Sequence, residues 1–384
     1  MNQPSTIHKV LKTAAILGIF LLPANAFALN SYHIGNSLTN NGLGGKIDNV
    51  TGIETFADFY NKDVNVAYHL DAGQALHTIW NNPAGVDGLN GTKAPYGGFS
   101  NALPNYEWSS VLLEPYFNQG STQGSDKQTI SNFINLTHTN PANADTIFYV
   151  YQVWPSKTHY QADQGKLYSN YWKIARSDAD ATPTLAMRAY YQNIMGDLTE
   201  QYLGTGTLVR MIPTGEVFNR LSLMELPGID FTDFYEDPVH MAQDLGRYVA
   251  AATIYSTLLK KDVGNLIPPI DYYDPSILTP DLYTIINKVI WDVVSTENYT
   301  GIADFNNDGY VGTMDLTIWS NAFGVNDAGD ADGDGDTDGR DFLYWQRNYR
   351  GEPLGLIAAV PEPSSVVLLC GVLSYCLSTR YSRR

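Results

Sequence analysis

The chain has 384 residues, 44% of them hydrophobic, enough for one sizeable globular domain and a smaller companion. Its formal charge of −17 excludes nucleic acid as a partner, because 23 Lys and Arg against 40 Asp and Glu leave nothing to neutralise phosphates. Both cysteines, Cys370 and Cys376, sit near the C-terminal end, so the body of the chain has no disulfide and no thiol nucleophile.

Residues 1–28 read as a secretory signal. His8, Lys9 and Lys12 are its basic part, Ala14 to Leu22 its apolar part, and Ala24-Asn25-Ala26 or Ala26-Phe27-Ala28 its cleavage site. The apolar run is too short to span a bilayer, which predicts export with removal. Next comes Tyr32-His33-Ile34-Gly35-Asn36-Ser37-Leu38-Thr39. A strand that ends in Gly-Asn-Ser and turns sharply presents Ser37 at the carboxyl edge of a sheet, where open α/β sheets bind ligands. Gly35 permits the turn and Asn36 tolerates unusual dihedrals. A serine there also suits a helix cap, and the two readings stay open.

Strand-like runs recur at Val64 to Leu70, Ser109 to Glu114, Thr146 to Trp154 and Thr207 to Ile212, making five with the strand before Ser37. Helical spacing lies between them at Ile130 to Thr137 and Leu185 to Leu203, and Asp244 to Lys260 closes the set. Alternation of this kind predicts an α/β, three-layer sandwich around a five-stranded, mostly parallel sheet. At the head of the last helix stands Asp237-Pro238-Val239-His240. Three residues' separation lets the carboxylate accept from imidazole Nδ1–H while Nε2 faces a nucleophile.

Gly35-Asn36-Ser37-Leu38 early and Asp237-Pro238-Val239-His240 late resemble the SGNH (GDSL) hydrolase superfamily over roughly residues 29–262. The resemblance implies a flavodoxin-like sheet with Ser37 as nucleophile, His240 as general base then acid, and Asp237 as its orienting partner. It also implies an oxyanion hole using the backbone N–H of Gly73, in Leu70-Asp71-Ala72-Gly73-Gln74. The third donor, an Asn or Gln amide in the family, is replaced: Val111-Leu112-Leu113-Glu114-Pro115 puts Glu114 at the oxyanion position. An ionised carboxylate donates nothing, and a lost donor costs about 3 to 4 kcal/mol of barrier. Burial could keep Glu114 protonated, Asn118 or Gln119 could substitute, Glu114 could recognise a cationic or hydroxyl-rich substrate, or the chemistry is weak. Trp80, Tyr96, Trp108, Tyr116, Tyr151 and Trp154 fall near strand ends, where they suit either sugar stacking or core filling.

Residues 263–284 read as a proline-bearing linker, and Leu282 to Val294 has helical spacing. A duplicated acidic loop follows. Asp304, Asn306, Asp308 and Asp315 carry oxygens at positions one, three, five and twelve, with Gly309 sixth and the Tyr310 carbonyl seventh. Asp330, Asp332, Asp334, Gly335, Asp336 and Asp341 repeat the offsets 26 residues later. This is the EF-hand pattern for Ca²⁺. Two copies ending in Asp and running into short helices resemble the type I dockerin domain, over residues 285–355. That resemblance implies a small all-α double EF-hand unit docking onto a cohesin-type scaffold; a calcium-bound spacer is the other reading.

The end, 359–384, holds Val360-Pro361-Glu362-Pro363-Ser364, an apolar stretch from Val366 to Leu377, and Arg380, Arg383 and Arg384. A short membrane-inserting segment with a positive stop is the physical reading. It resembles a PEP-CTERM sorting tail, implying transient membrane contact before release at the cell surface. Together these features predict an exported SGNH-type serine esterase cleaving acyl, foremost acetyl, esters on carbohydrate, with Ca²⁺ in the acidic module and no cofactor for catalysis. A surface or glycan-binding protein that kept the fold and lost efficient chemistry at Glu114 is the alternative.

Overall fold

Successive residues of a strand face opposite sides of a sheet. Tyr32, His33 and Ile34 are all fully buried, so this strand is covered on both faces. The computed structural model describes residues 29–44, 46–47, 50–83, 91–115, 123–158, 172, 187–269, 273–297 and 299–349. The signal, the sorting tail, Tyr116, Asn118 and Gln119 lie outside the described residues.

Strand β1 (Leu29–Gly35) pairs in parallel with β4 (Val64–Leu70) on one side and with β6 (Ser110–Leu113) on the other. Beyond β6 follow β7 (Ile147–Tyr151) and β8 (Leu208–Ile212), also parallel. A small hairpin, β2 (Lys46–Ile47) and β3 (Val50–Thr51), stands apart from this sheet. The expected five parallel strands are thus present, with an addition: β5 (Gly91–Thr92) adds an antiparallel edge beside β4, giving the order β5-β4-β1-β6-β7-β8. Two residues without an apolar pattern carry no strand signal; backbone pairing alone makes β5. The chain reverses direction across the sheet between β4 and β6, which makes the carboxyl ends of β1 and β6 the switch point.

Eleven α-helices are described, nine of them in two packed groups. One contains α1 (Ser37–Gly42), α2 (Gly52–Phe59), α7 (Thr214–Leu221), α8 (Gly246–Leu259) and α9 (Pro280–Val294). The other contains α3 (Leu76–Asn81), α4 (Phe99–Asn105), α5 (Gln123–Thr137) and α6 (Met187–Tyr202). Helix α8 is buried on nearly every side because α1, α2, α7 and α9 all pack against it. Within the sheet, His33 Nε2 lies 2.8 Å from Ser31 Oγ, which accepts from Ser110 Oγ at 2.8 Å. Burial first, then Lys93, holds His33 down at about 3, so this buried ring is neutral.

The stretch read as a proline-bearing linker packs against the sheet domain where it is described. Val263, Tyr273 and Leu278 are buried, Tyr273 against Phe56 and Tyr248, because the proline-rich run carries apolar residues that α2 and α8 leave room for. Helix α9 belongs with the sheet domain too: Tyr248 Oη donates to Asn287 Oδ1 at 2.6 Å. Met211 N donates to Tyr299 O at 2.8 Å along the outer edge of β8, and buried Arg210 donates to Asp304 Oδ2 at 3.1 Å and Asn307 Oδ1 at 3.0 Å. The acidic loops lead into α10 (Thr313–Ala322) and α11 (Gly339–Asn348), joined by Trp319 on Phe342 at 4.9 Å. One apolar core therefore runs from the sheet into the region of the loops.

A chain ended after Asp262 exposes the α9-facing side of α8 and strips Arg210 of both its carboxylate partner and the segment that covers it. Its unfolding midpoint is expected to fall by at least about 10 °C relative to the full chain in a calorimetric scan. An unchanged midpoint would mean that residues 29–262 are an independent unit.

Candidate active site

Strand β1 ends at Gly35, a position where nothing larger than glycine fits. A Cβ on Gly35 would stand 2.8 Å from Glu114 Cβ and closer still to Thr39 Oγ1. Asn36 then caps α1: its Oδ1 accepts from Leu38 N at 2.8 Å, and its Nδ2 donates to Gln74 O at 3.1 Å. Since Asn36 does the capping, the Ser37 hydroxyl is free of that duty, which separates the two readings its sequence position allowed.

Asp237 organises the second half of the site. Its Oδ1 accepts from Val239 N at 2.8 Å and His240 N at 2.7 Å, curling the loop, while Oδ2 lies 2.6 Å from His240 Nδ1. Burial pushes the Asp237 carboxyl up, but those two N–H groups and the imidazole outweigh it and hold the group at about 2. Asp237 is therefore anionic at neutral pH, and Nε2 of His240 reaches Ser37 Oγ at 2.9 Å. Three further bonds fix this loop: Met241 N donates to Asn41 Oδ1 at 2.7 Å, Trp154 Nε1 to Val239 O at 2.9 Å, and Lys157 N to Pro238 O at 2.7 Å. Neither Asn41 nor Trp154 carries a motif that marks this role; both act through backbone atoms that only the fold brings near.

Gly73 stands three residues beyond β4, whose end Leu70 pairs with Gly35. Its φ of +71° suits glycine, and a Cβ there would meet nothing. Among the described residues, neither Gly73 N–H nor Ser37 N–H donates to any acceptor.

Glu114 departs from its expected place. Both its oxygens are buried, and Oε2 is turned under the Ser37 turn, accepting from Asn36 N at 3.1 Å, Thr39 N at 2.9 Å and Thr39 Oγ1. It does not present a polar atom to the surface where an oxyanion would lie; its signal in the sequence was the polar residue following an apolar strand. Of the described aromatic residues, Trp108, Tyr151 and Trp154 are core, while half-buried Tyr96 packs on Trp108 at 5.0 Å and half-buried Trp80 stacks on Phe99 at 5.6 Å.

The acidic loops have a turn and a donor set suited to a hard cation. Gly309 and Gly335, sixth in each loop, have φ of +90° and +101°. Carboxylate oxygens of Asp330, Asp332 and Asp334 lie within 4.8 Å of one another, as do those of Asp336, Asp338 and Asp341. Both oxygens of buried Asp332 lack a hydrogen-bond donor among the described residues; Arg340 Nη2 is 3.0 Å from Oδ2 but without hydrogen-bond alignment. Burial first, with Asp334, Asp341 and Asp330 adding to it against Arg340, raises Asp332 to about 6. In the first loop, Asp304 accepts from Asp308 N at 3.1 Å and Gly309 N at 3.2 Å, while Asp315 accepts from Phe305 N, Asn306 N and Gly312 N. Asn306 Nδ2 donates to Asp308 Oδ2 at 2.8 Å, and Tyr310 N to Asp308 Oδ1 at 2.9 Å.

A methyl at residue 35 tests the packing under the turn. Gly35→Ala is expected to cost about 1 to 3 kcal/mol in denaturant unfolding, since Glu114 and Thr39 must both move. A cost near zero would contradict the close approach.

No family model matches this chain, and no curated protein does. Among solved structures, it is similar to a DUF4886 family protein from Bacteroides uniformis, with TM-score 0.48 and 16% identity over 70% of this chain and 95% of that one. It is also similar to a carbohydrate esterase family 3 protein from Talaromyces cellulolyticus, with TM-score 0.38 and 13% identity over 60% and 97%. A putative acylhydrolase from Bacteroides fragilis follows with TM-score 0.34 and 11% identity over 60% and 86%. At such identities none of them transfers a function to this chain.

Proposed function

We propose that this chain is an exported serine esterase of SGNH type that cleaves acyl, foremost acetyl, esters, with a sugar as the alcohol. What carries the proposal is the unbroken relay from Ser37 Oγ through His240 to Asp237, at 2.9 and 2.6 Å. Such spacing is within proton-transfer reach, and a serine hydroxyl is a poor nucleophile without it. His240 Nε2 takes the Ser37 proton as Oγ bonds to the ester carbonyl carbon. The carbonyl oxygen becomes an oxyanion, for which the unused N–H groups of Ser37 and Gly73 are the candidate donors. His240 then returns the proton to the departing alkoxide, and the C–O bond breaks. Water attacks the acyl-enzyme with the same base, releasing the acid and restoring Ser37. Anionic Asp237 orients the ring and stabilises its transient positive charge.

Ca²⁺ is proposed as the ligand of the acidic loops, held by Asp304, Asn306, Asp308, the Tyr310 carbonyl and Asp315, and by Asp330, Asp332, Asp334, the Asp336 carbonyl and Asp341. Its contribution would be structural, neutralising crowded carboxylates. A cohesin-type partner for this module, export by residues 1–28 and sorting by 359–384 belong to the same proposal and rest on sequence resemblance. The second reading, a glycan-binding protein with weak chemistry, is favoured by Glu114 in place of an amide donor.

Ser37→Ala is expected to lower hydrolysis of a short acyl reporter ester by at least about 10³-fold, and Asp237→Asn by about 10²- to 10⁴-fold. Turnover that survives Ser37→Ala would leave the binding reading standing. Chelation of the full chain is expected to lower its melting midpoint and shift tryptophan emission, with recovery on adding Ca²⁺ but not Mg²⁺. Indifference to EDTA would remove the calcium assignment and leave the esterase untouched.

A further inference from the structure

Three donors converge under the nucleophile turn, and all choose the same oxygen. Asn36 N, Thr39 N and Thr39 Oγ1 donate to Glu114 Oε2, while buried Oε1 has no partner among the described residues. An ionised carboxylate shares its charge between both oxygens, and when buried it needs donors on both. A carboxylic acid has one carbonyl oxygen that accepts and one hydroxyl. The lopsided pattern leaves the acid one uncharged hydroxyl without an acceptor, which costs less than the shared negative charge it would strand on the ion.

We propose that Glu114 is a positioning residue which clamps the nucleophile turn as a neutral carboxylic acid, a role that rests on the esterase reading above. The clamp joins the residue before Ser37 to the residue two beyond it, so it sets the direction of the Ser37 hydroxyl without touching substrate. Neutrality matters because an ionised Glu114 would put a buried negative charge beneath the N–H groups offered to the oxyanion.

The surroundings agree. Helix α1 brings no charged side chain to the carboxyl. The titratable groups that sense it are Tyr151 on β7 and Tyr191 on α6, both phenols raised by burial first, with Glu114 adding to it. Among the described residues no cation offsets the burial, which lifts Glu114 to about 7 against the donors from Thr39 and Asn36. The carboxyl therefore changes state close to neutral pH.

The test compares the full-length wild type with Glu114→Gln, Glu114→Ala and Ser37→Ala, measuring kcat and KM for a short acyl ester from pH 5.5 to 9. Gln keeps the accepting carbonyl and cannot ionise. Wild-type kcat is expected to fall as pH rises through about 7 with KM level. Glu114→Gln is expected to stay within about threefold of wild type at pH 6 and to show no fall up to pH 9. Glu114→Ala, which lacks the clamp, is expected to lose about 10²-fold in kcat at every pH. An alkaline fall in Glu114→Gln like that of the wild type, or a Gln variant as impaired as Ala, would overturn the proposal. Denaturation gives a readout independent of turnover. An acid whose folded pKa is raised stabilises the fold below its unfolded pKa and loses this as pH rises through the folded value. The stability of the wild type relative to Glu114→Gln should thus decline from about pH 4.5 to about pH 7 and then level off. A flat difference would rule out a neutral Glu114. Turnover unaffected by Ser37→Ala would fault the esterase reading instead, and the denaturation profile would still decide the protonation state.

Discussion

A single hydrogen bond, Ser37 Oγ to His240 Nε2, ties together residues 203 positions apart. Everything around it serves to keep that distance. The parallel pairing of β1 with β4 and β6 brings the first turn to the sheet's switch point, and α8, buried on nearly every side, fixes where the loop before it must lie. Asn41 closes the gap from below: it sits on α1 and accepts from Met241 N, which ties the serine helix to the histidine loop.

The two halves of the site are held by different means. Asp237 satisfies its own loop, capturing two backbone N–H groups before it reaches the imidazole, so the histidine is oriented by a unit of four consecutive residues. Ser37 is oriented by distant residues: Glu114 across the sheet, and Gln74 through Asn36. A motif can encode the first arrangement by itself. The second depends on tertiary structure, and buried polar groups there must be satisfied by partners that no local spacing specifies.

This difference explains what could be read from the sequence. The five parallel strands and the closing helix were legible because apolar runs declare them, and the Asp237 to His240 spacing because it is local; that Ser37 lies beside them is a matter of the fold. Edge strand β5 was not, since Gly91 and Thr92 pair through backbone alone. The segment at 263–284 misled because proline and loop composition look the same in a tether and in a packed connector; Tyr273 and Leu278, both buried, were the apolar residues that distinguished them. Glu114 was read as facing an oxyanion, and its carboxyl lies under the Ser37 turn instead. Its neighbours Asn36 and Thr39 lie 78 and 75 residues away, beyond any periodicity.

The region of the acidic loops shows the same economy of contacts. Arg210, on the last sheet strand, pairs with Asp304 at the first position of the first loop, so the sheet and the loop share a buried charge pair. Central to the whole account is that Ser37 is made nucleophilic by His240. Intact-protein and peptide mass spectrometry after exposure to a fluorophosphonate tests this most directly. The account predicts one covalent adduct on the peptide containing Ser37, formed quickly in the wild type and at least about 10²-fold more slowly in His240→Ala. An adduct on another residue, or a labelling rate indifferent to His240, would contradict it.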